Sequence, residues 1–142
     1  MLKTNAVAIL DKASGMDPDS IRIALSKCNY DLEVLIVAQA ATDAQKNSVT
    51  SAKIIIVVLT RKITNNPAIN VLIELAAQRN IRIVGVWIGE NSDHPKALDE
   101  FGDAALPIDD DAICEALNGT FNDWKEPTGS IRGKRKIIKA NC

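Results

Sequence analysis

The stretch "KIIIVVLT" at residues 53–60 contains an unbroken run of β-branched and aliphatic side chains, and it decides the fold. A run that is apolar at every position is typical of a strand inside a parallel sheet whose two faces are both covered. Further runs of this kind lie on both sides of it, at "AVAIL" (6–10), "LEVLIVA" (32–38), "IRIVGVWI" (81–88) and the shorter "AALPI" (104–108). Because Pro107 has no amide hydrogen, we expect the last run at a sheet edge.

Helical patterns fill the intervals between these runs, at residues 16–28, 41–53, 66–80, 94–101 and 109–119. Asp19 or Ser20 is the expected cap of the first helix. Asn66 is the expected cap of the third, and Gly119 the C-terminal stop of the fifth. Alternating strands and helices predict an α/β fold with three layers, in which helices cover both faces of a parallel five-stranded sheet.

The chain has 142 residues, which suits one domain. Its 46% hydrophobic and 25% charged residues are typical of soluble globular proteins. After Gly119 the composition changes, and beyond Glu126 there are five basic residues in 132–139 and no acid. We therefore expect an α/β domain at residues 1–121 and a basic C-terminal tail at residues 122–142, which is solvated rather than a binding arm.

Composition also argues against several function classes. A formal net charge of -1 gives no reason to expect a nucleic-acid partner, and no apolar run has the length of a membrane span. The three cysteines, Cys28, Cys114 and Cys142, show neither CxxC spacing nor nearby histidines. This pattern indicates neither a disulfide nor a zinc site, and it favours a cytoplasmic protein.

Ligands of open parallel sheets bind beyond the carboxyl ends of the strands, so the loops after Leu10, Ala38, Thr60 and Ile88 are the candidates. None of them contains a GxGxxG or P-loop motif, which argues against those modes of nucleotide binding. His94 is the one histidine of the chain, and no GxSxG nucleophile motif accompanies it, so we expect no catalytic role for it. The three aspartates at 109–111 are explained by capping the next helix, so no metal site is expected.

Glu74 is the remaining candidate, in the middle of "NPAINVLIELAAQRN" (66–80). It lies roughly 10 Å from the start of its helix at 1.5 Å per residue. Asn70 and Gln78 are placed four residues before and after it, on the same helix face. Spacing alone is typical of a solvent-facing polar stripe, but a carboxylate at a cleft wall can also stabilise a cationic sugar centre in glycosyl transfer.

The segment from Ser51 to Gly119 resembles the second half of a Toll/interleukin-1 receptor (TIR) domain. The resemblance rests on the strand "IIIVVLT", the helix with "IEL" at 73–75, the strand "IRIVGVWI" and the proline-containing final segment. "QAATDAQKN" (39–47) occupies the position of the BB loop, but without an Arg-x-x-Pro-Gly motif, and the usual Trp-Cys pair is absent. These departures are similar to the compact bacterial TIR-like proteins of Thoeris antiphage systems, and the resemblance implies a TIR/flavodoxin-like sheet.

The resemblance implies that NAD is a substrate, with no further cofactor, and that Glu74 is the catalytic residue for breaking the nicotinamide–ribose bond. The product would be an ADP-ribose-derived signal for a separate effector protein, and TIR surfaces would support self-association. The substrate-binding residues expected on this basis are Asp11, Ser14, Gly15, Thr60, Asn70 and Trp124. For Trp124, a structural role, buried against the last helix, is favoured over stacking on a ligand ring.

Two other functions stay open. Nucleoside 2-deoxyribosyltransferases share the topology and a helix glutamate, and they also break an N-glycosidic bond. A non-catalytic TIR interaction module would use Glu74 only as a structural helix residue. The fold itself does not choose among these functions, because one fold carries many.

Overall fold

The computed structural model describes residues 4–130. Within this range five strands alternate with five α-helices, and each lies where the sequence predicts it. The strands are β1 (Thr4–Asp11), β2 (Tyr30–Val37), β3 (Ile54–Leu59), β4 (Arg82–Trp87) and β5 (Ala104–Pro107). The helices are α1 (Pro18–Leu25), α2 (Asp43–Ser51), α3 (Pro67–Gln78), α4 (Lys96–Phe101) and α5 (Ile113–Asn118).

All neighbouring strands pair in parallel, in the order β2-β1-β3-β4-β5. The run at residues 53–60 therefore forms the central strand, β3, and the proline-containing run pairs with β4 alone among these strands, as predicted. This order is the flavodoxin-like one. The predicted fold class, a three-layer α/β fold with a parallel five-stranded sheet, is confirmed. No helix in the described range is long and apolar enough to cross a membrane.

The six residues of β3 are all buried because the sheet is covered on both faces. On one face, alternate strand residues pack with buried side chains of α2, α3 and α4. On the other face, the intervening residues pack with α1 and α5. Glu74 is exposed on the outer side of α3. The buried positions of the helix form a stripe on its other side: Ala68, Ile69, Leu72, Ile73 and Ala76.

Of the three helix ends predicted from the sequence, two are confirmed by the structure. Asn66 caps α3, since its Oδ1 accepts a hydrogen bond from Ala68 N at 3.0 Å, and Gly119 ends α5 with φ +96°. The cap of α1 is Asp17, and the expectation of Asp19 or Ser20 is wrong. Pro18 occupies the first helical turn, where its missing N–H costs nothing, so the cap falls one residue before the proline.

The described part of the predicted tail packs on the sheet edge. Ala105 N donates to Asp123 O at 3.2 Å, and Lys125 N donates to Ala105 O at 2.7 Å. The Lys125 ammonium also pairs with the Asp110 carboxylate at 3.0 Å. Burial by itself raises the pKa of Asp110, but the hydrogen bond from Ala112 N and the Lys125 contact outweigh it and hold that pKa below its ordinary value. The five basic residues beyond Glu126 lie outside the described residues: Arg132, Lys134, Arg135, Lys136 and Lys139.

The expectation that the cysteines form no disulfide is wrong. Cys28, just after α1, is bonded to Cys114 in α5, with a Cα–Cα distance of 5.1 Å and a sequence separation of 86. The pairing is non-local, because α1 and α5 are adjacent only on the folded sheet. Cysteine spacing therefore contained no signal for it. The expected cytoplasmic location rested partly on the absence of a disulfide, and this bond removes that support.

We expect the Cys28–Cys114 bond to contribute substantially to stability. In the chain-entropy model, a closed loop of this length restricts the unfolded state, and losing a native disulfide costs about 2–5 kcal/mol. Cys114→Ser should lower the free energy of unfolding by that amount, measured by urea denaturation. Cys142→Ser is the control and should leave it unchanged. Three titratable thiols in the unreduced, denatured wild-type protein would contradict the assignment.

Candidate functional site

A cleft lies beyond the carboxyl ends of β1, β3 and β4. The chain leaves β1 for one face of the sheet and β3 for the other, so β1 and β3 form the switch point where parallel sheets bind ligands. We call this space the strand-end cleft, and its volume is about 800 Å³. Its walls are Ala13, Ser14, Met16, Thr60, Arg61, Lys62, Ile88, Gly89, Glu90 and Asn91.

A buried hydrogen-bond network supports the base of this region. The Asn66 Nδ2 donates to Asp11 Oδ1 at 2.9 Å and to Val37 O at 3.0 Å, while Asn66 Oδ1 caps α3. Asp11 Oδ1 also accepts from Ala13 N at 3.2 Å. Asp11 and Asn66 are 3% and 1% exposed, so these bonds replace lost contacts with water. The network fixes the ends of β1 and β2 relative to the start of α3.

Thr60 differs from its buried polar neighbours. It follows β3, is 6% exposed and lines the strand-end cleft. Its Oγ1 is buried and has no hydrogen-bond partner among the described residues. Leaving a buried hydroxyl unpaired costs about 1–3 kcal/mol, so this atom is an unsatisfied donor and acceptor in a residue of the cleft wall.

The cleft wall carries two exposed cations, Arg61 and Lys62, against one carboxylate, Glu90. Lys62 has φ +64°, and its backbone N–H donates to Asp93 Oδ2 at 2.7 Å. The Asn91 Nδ2 donates to Leu59 O at 3.2 Å. These hydrogen bonds connect the loops after β3 and β4 and fix the backbone that carries Arg61 and Lys62. The wall suits an anionic group.

Glu74 lies in a different place. It lines a hollow of about 600 Å³ at the amino ends of β4 and β5, and we call this space the α3–α4 hollow. Its lining residues are Glu74, Ala77, Gln78, Asn80, Ile81, Arg82, Glu100, Phe101 and Asp103. The helix α3 begins at the strand-end cleft and runs back along the sheet, so its second half faces the opposite end.

Arg82 is the cation of the hollow, and its donors point to α5 and to the chain just after it. Its Nε, Nη1 and Nη2 donate at 2.7 Å to Ala116 O, Asn122 Oδ1 and Phe121 O. Burial lowers the pKa of Arg82, and the Asp103 carboxylate opposes that shift. The guanidinium keeps its charge, but three carboxylates, Glu74, Glu100 and Asp103, stand against this one cation in the lining, so the hollow has a formal net charge of -2.

The structure separates the predicted site residues into groups. Ser14 and Thr60 line the strand-end cleft, with Asp11 buried in the network beside them and Gly15 in the turn after β1 at φ +67°. Asn70 is engaged in the fold, because its Oδ1 accepts from Ala97 N at 2.9 Å and so fastens α4 to α3. Glu74 lies in the α3–α4 hollow. Sequence patterns alone do not indicate that these predicted site residues lie in different parts of the fold.

Trp124 is 4% exposed and packs against ring neighbours, not in the cleft. Its ring centroid lies 6.1 Å from that of Trp87 and 5.5 Å from that of His94. These contacts lie on the α3 and α4 face, so its burial is not against the last helix as expected. His94 is held by this aromatic cluster and by Asp99 Oδ2 at 3.1 Å from Nε2.

Sequence analysis missed Asn66 as a network residue, and it missed Arg61 and Lys62 as the cations of the cleft. The sequence pattern predicts Asn66 only as a cap, and its position before Pro67 in the loop that follows β3 is the available signal. The two cations directly follow the strand run, in the loop that the strand-end rule had selected. Within residues 4–130, no group of three or more His, Cys, Asp or Glu side chains is placed to hold a metal ion.

Comparison of the chain with known proteins does not identify a family for it. No protein-family model matches the chain, and no curated protein matches it at a significant level.

We expect Asn66→Ala to destabilise the protein by about 2–4 kcal/mol, because it removes a helix cap and the buried side-chain donor that Asp11 and Val37 O share. Asn66→Ser is the matched variant. It retains a capping oxygen and should recover about 1 kcal/mol of the loss. Thermal or urea unfolding measures both. Equal stability of Asn66→Ala and wild type would contradict the role assigned to the network.

Proposed function

We propose that the chain binds a phosphate-bearing nucleotide in the strand-end cleft, with NAD as the first ligand to test. The observation that carries the proposal is the unpaired Thr60 hydroxyl in the wall of a cleft at the β1/β3 switch point. Oγ1 has almost no accessible surface, so the Thr60 side chain would have to rotate towards the cleft before a phosphate or ribose oxygen became the partner that it lacks in the protein.

The charges and size of the cleft support the same ligand class. Arg61 and Lys62 favour phosphate oxygens, and guanidinium groups match them with two parallel hydrogen bonds. A volume of about 800 Å³ falls within the range of small-molecule sites. The loop that presents both cations is tied to the loop after β4 through Asp93 and Asn91, so little loop ordering would be required on binding.

Thr60→Val is the sharpest test of the binding site. It keeps the shape of the side chain and removes a hydroxyl that has no partner, so stability should stay equal or rise. Affinity for NAD and for ADP-ribose, measured by calorimetry, should fall about 3- to 10-fold if the hydroxyl bonds the ligand. Arg61→Ala should weaken binding about 10-fold or more.

Lys53→Ala provides the matched control, since Lys53 is an exposed cation before β3, at the amino end of the sheet. It should bind like wild type. Failure of NAD, ADP-ribose and inorganic phosphate to bind at millimolar concentration would overturn the proposal. Unchanged affinity in both Thr60→Val and Arg61→Ala would remove the ligand from this cleft.

Cleavage of NAD by Glu74 is a second candidate function, implied by the TIR resemblance. The observation that favours it is the α3–α4 hollow, which places Glu74 beside the ring of Phe101 and the apolar side chains of Ala77 and Ile81. Such a surface suits a planar ring, and the carboxylate suits the cationic sugar centre that forms as nicotinamide leaves. In this function NAD reacts in the hollow, and the resulting ADP-ribose derivative signals to a separate effector in the cytoplasm.

Glu74→Gln decides this candidate. Nicotinamide release, followed by mass spectrometry, should fall about 100-fold or more when the stabilising charge is lost. Glu33→Gln, an exposed glutamate on β2, serves as the control and should keep the wild-type rate. Release that continues undiminished in Glu74→Gln would exclude this residue as catalytic. Transfer of deoxyribose between bases would favour the deoxyribosyltransferase alternative, and self-association without turnover the interaction module.

A further inference from the structure

We propose that residues 131–142 of the chain bind in its own α3–α4 hollow. The proposal stands independently of the function of the strand-end cleft. A segment bound in the hollow would cover Glu74 and so compete with NAD in the second candidate function. It rests on the charge of this segment, on the lining of the hollow, and on the direction in which the described chain leaves the sheet.

The charge of the molecule is divided between two parts of the sequence. The segment "IRGKRKIIKANC" at 131–142 holds five of the seventeen Lys and Arg residues and no Asp or Glu. Residues 1–130 therefore hold twelve cations against eighteen acids, a formal net charge of -6. A strongly cationic segment joined to an anionic domain is held at high effective concentration near its surface.

The α3–α4 hollow offers the complementary surface. Glu74 and Glu100 are exposed at its rim, and Ala77, Ile81 and Phe101 line it with apolar surface. The segment has the matching composition, because its cations are interspersed with three isoleucines at 131, 137 and 138. Lysine and arginine side chains place their aliphatic stems on apolar surface while the charged ends reach carboxylates.

The last described turn points the chain towards this hollow. Residues 123–125 run parallel to β5, towards the carboxyl ends of the strands. The chain then reverses: Gly129 N donates to Glu126 O at 2.8 Å, Glu126 N donates to Ser130 O at 2.8 Å, and Gly129 has φ +92°. This pairing has the form of a hairpin connection with glycine in the left-handed position. At Ser130 the chain therefore heads back towards the amino ends of β4 and β5, where the hollow lies.

The distances permit the contact. The six residues of β4 span about 20 Å at 3.3 Å per residue. Twelve residues beyond Ser130 reach up to about 40 Å when extended, enough to return along the strand and cross the hollow. The strand-end cleft is the competing position at the other end of the sheet. Its exposed Arg61 and Lys62 repel a cationic segment, so the hollow is favoured.

The test uses the full chain and its native Cys142, which is the one cysteine outside the Cys28–Cys114 bond. A maleimide nitroxide at Cys142 broadens the amide NMR signals of nearby residues. We expect loss of signal intensity at Gln78, Asn80 and Ile81, and retained intensity at Ser14, Arg61 and Lys62. Reduction of the nitroxide should restore the lost signals.

Glu100→Lys should restore the hollow signals in the labelled protein, whereas Glu33→Lys on β2 should leave the broadening in place. The amide spectrum of each variant also reports whether it is folded. In the wild-type protein, 1 M NaCl should restore the signals, because the Debye length there is about 3 Å. Broadening centred on the strand-end cleft, or spread evenly over the acidic surface, would overturn the proposal.

A mixture of two proteins distinguishes intramolecular from intermolecular broadening. One is enriched in ¹⁵N and has no nitroxide, and the other has the nitroxide and natural isotope abundance. Intramolecular binding predicts full intensity in the mixture. Broadening of the hollow signals in the mixture would show that the segment of a second copy binds there, and this result would replace the intramolecular proposal.

Discussion

The Asn66 amide joins three elements that meet at the carboxyl end of the sheet. Its Nδ2 is shared between Asp11 and the carbonyl of Val37, and its Oδ1 caps α3. A buried carboxylate requires such donors, because it has lost its contacts with water. The network therefore holds the ends of β1 and β2 at a fixed distance from the start of α3, and the loops that form the cleft walls follow directly from β1 and precede α3.

The sequence predicts the strands and helices because their patterns are local. The run at 53–60 is apolar at every position, and a strand with two covered faces is the simplest structure that buries all of it. The cap at Asn66 is local too, but the partners of its Nδ2 depend on β1 and β2 being adjacent. The Cys28–Cys114 bond and the packing of Trp124 depend on tertiary neighbours in the same way. Such contacts leave no trace in residue spacing.

The direction of α3 explains why the predicted site residues lie at two ends of the sheet. Its first turn is at the strand-end cleft, but a helix that returns across a parallel sheet moves 1.5 Å towards the amino ends with each residue. Glu74, seven residues after Pro67, is therefore in the half of the helix that faces the α3–α4 hollow. The strand-end rule correctly selected Thr60 and Ser14 as cleft residues. It did not extend to Glu74, for which the only sequence argument was resemblance to a family.

The two ends of the sheet also differ in electrostatic character. In a parallel α/β fold the helix N-termini, with their partial positive charge, collect at the carboxyl ends of the strands, and the C-termini collect at the opposite end. Side-chain charges have the same polarity here: Arg61 and Lys62 stand at the cleft, and Glu74 and Glu100 at the hollow. An anionic ligand and a cationic peptide are thus attracted to opposite ends. The chain reversal at Gly129 directs the most cationic part of the sequence to the end with the negative charge.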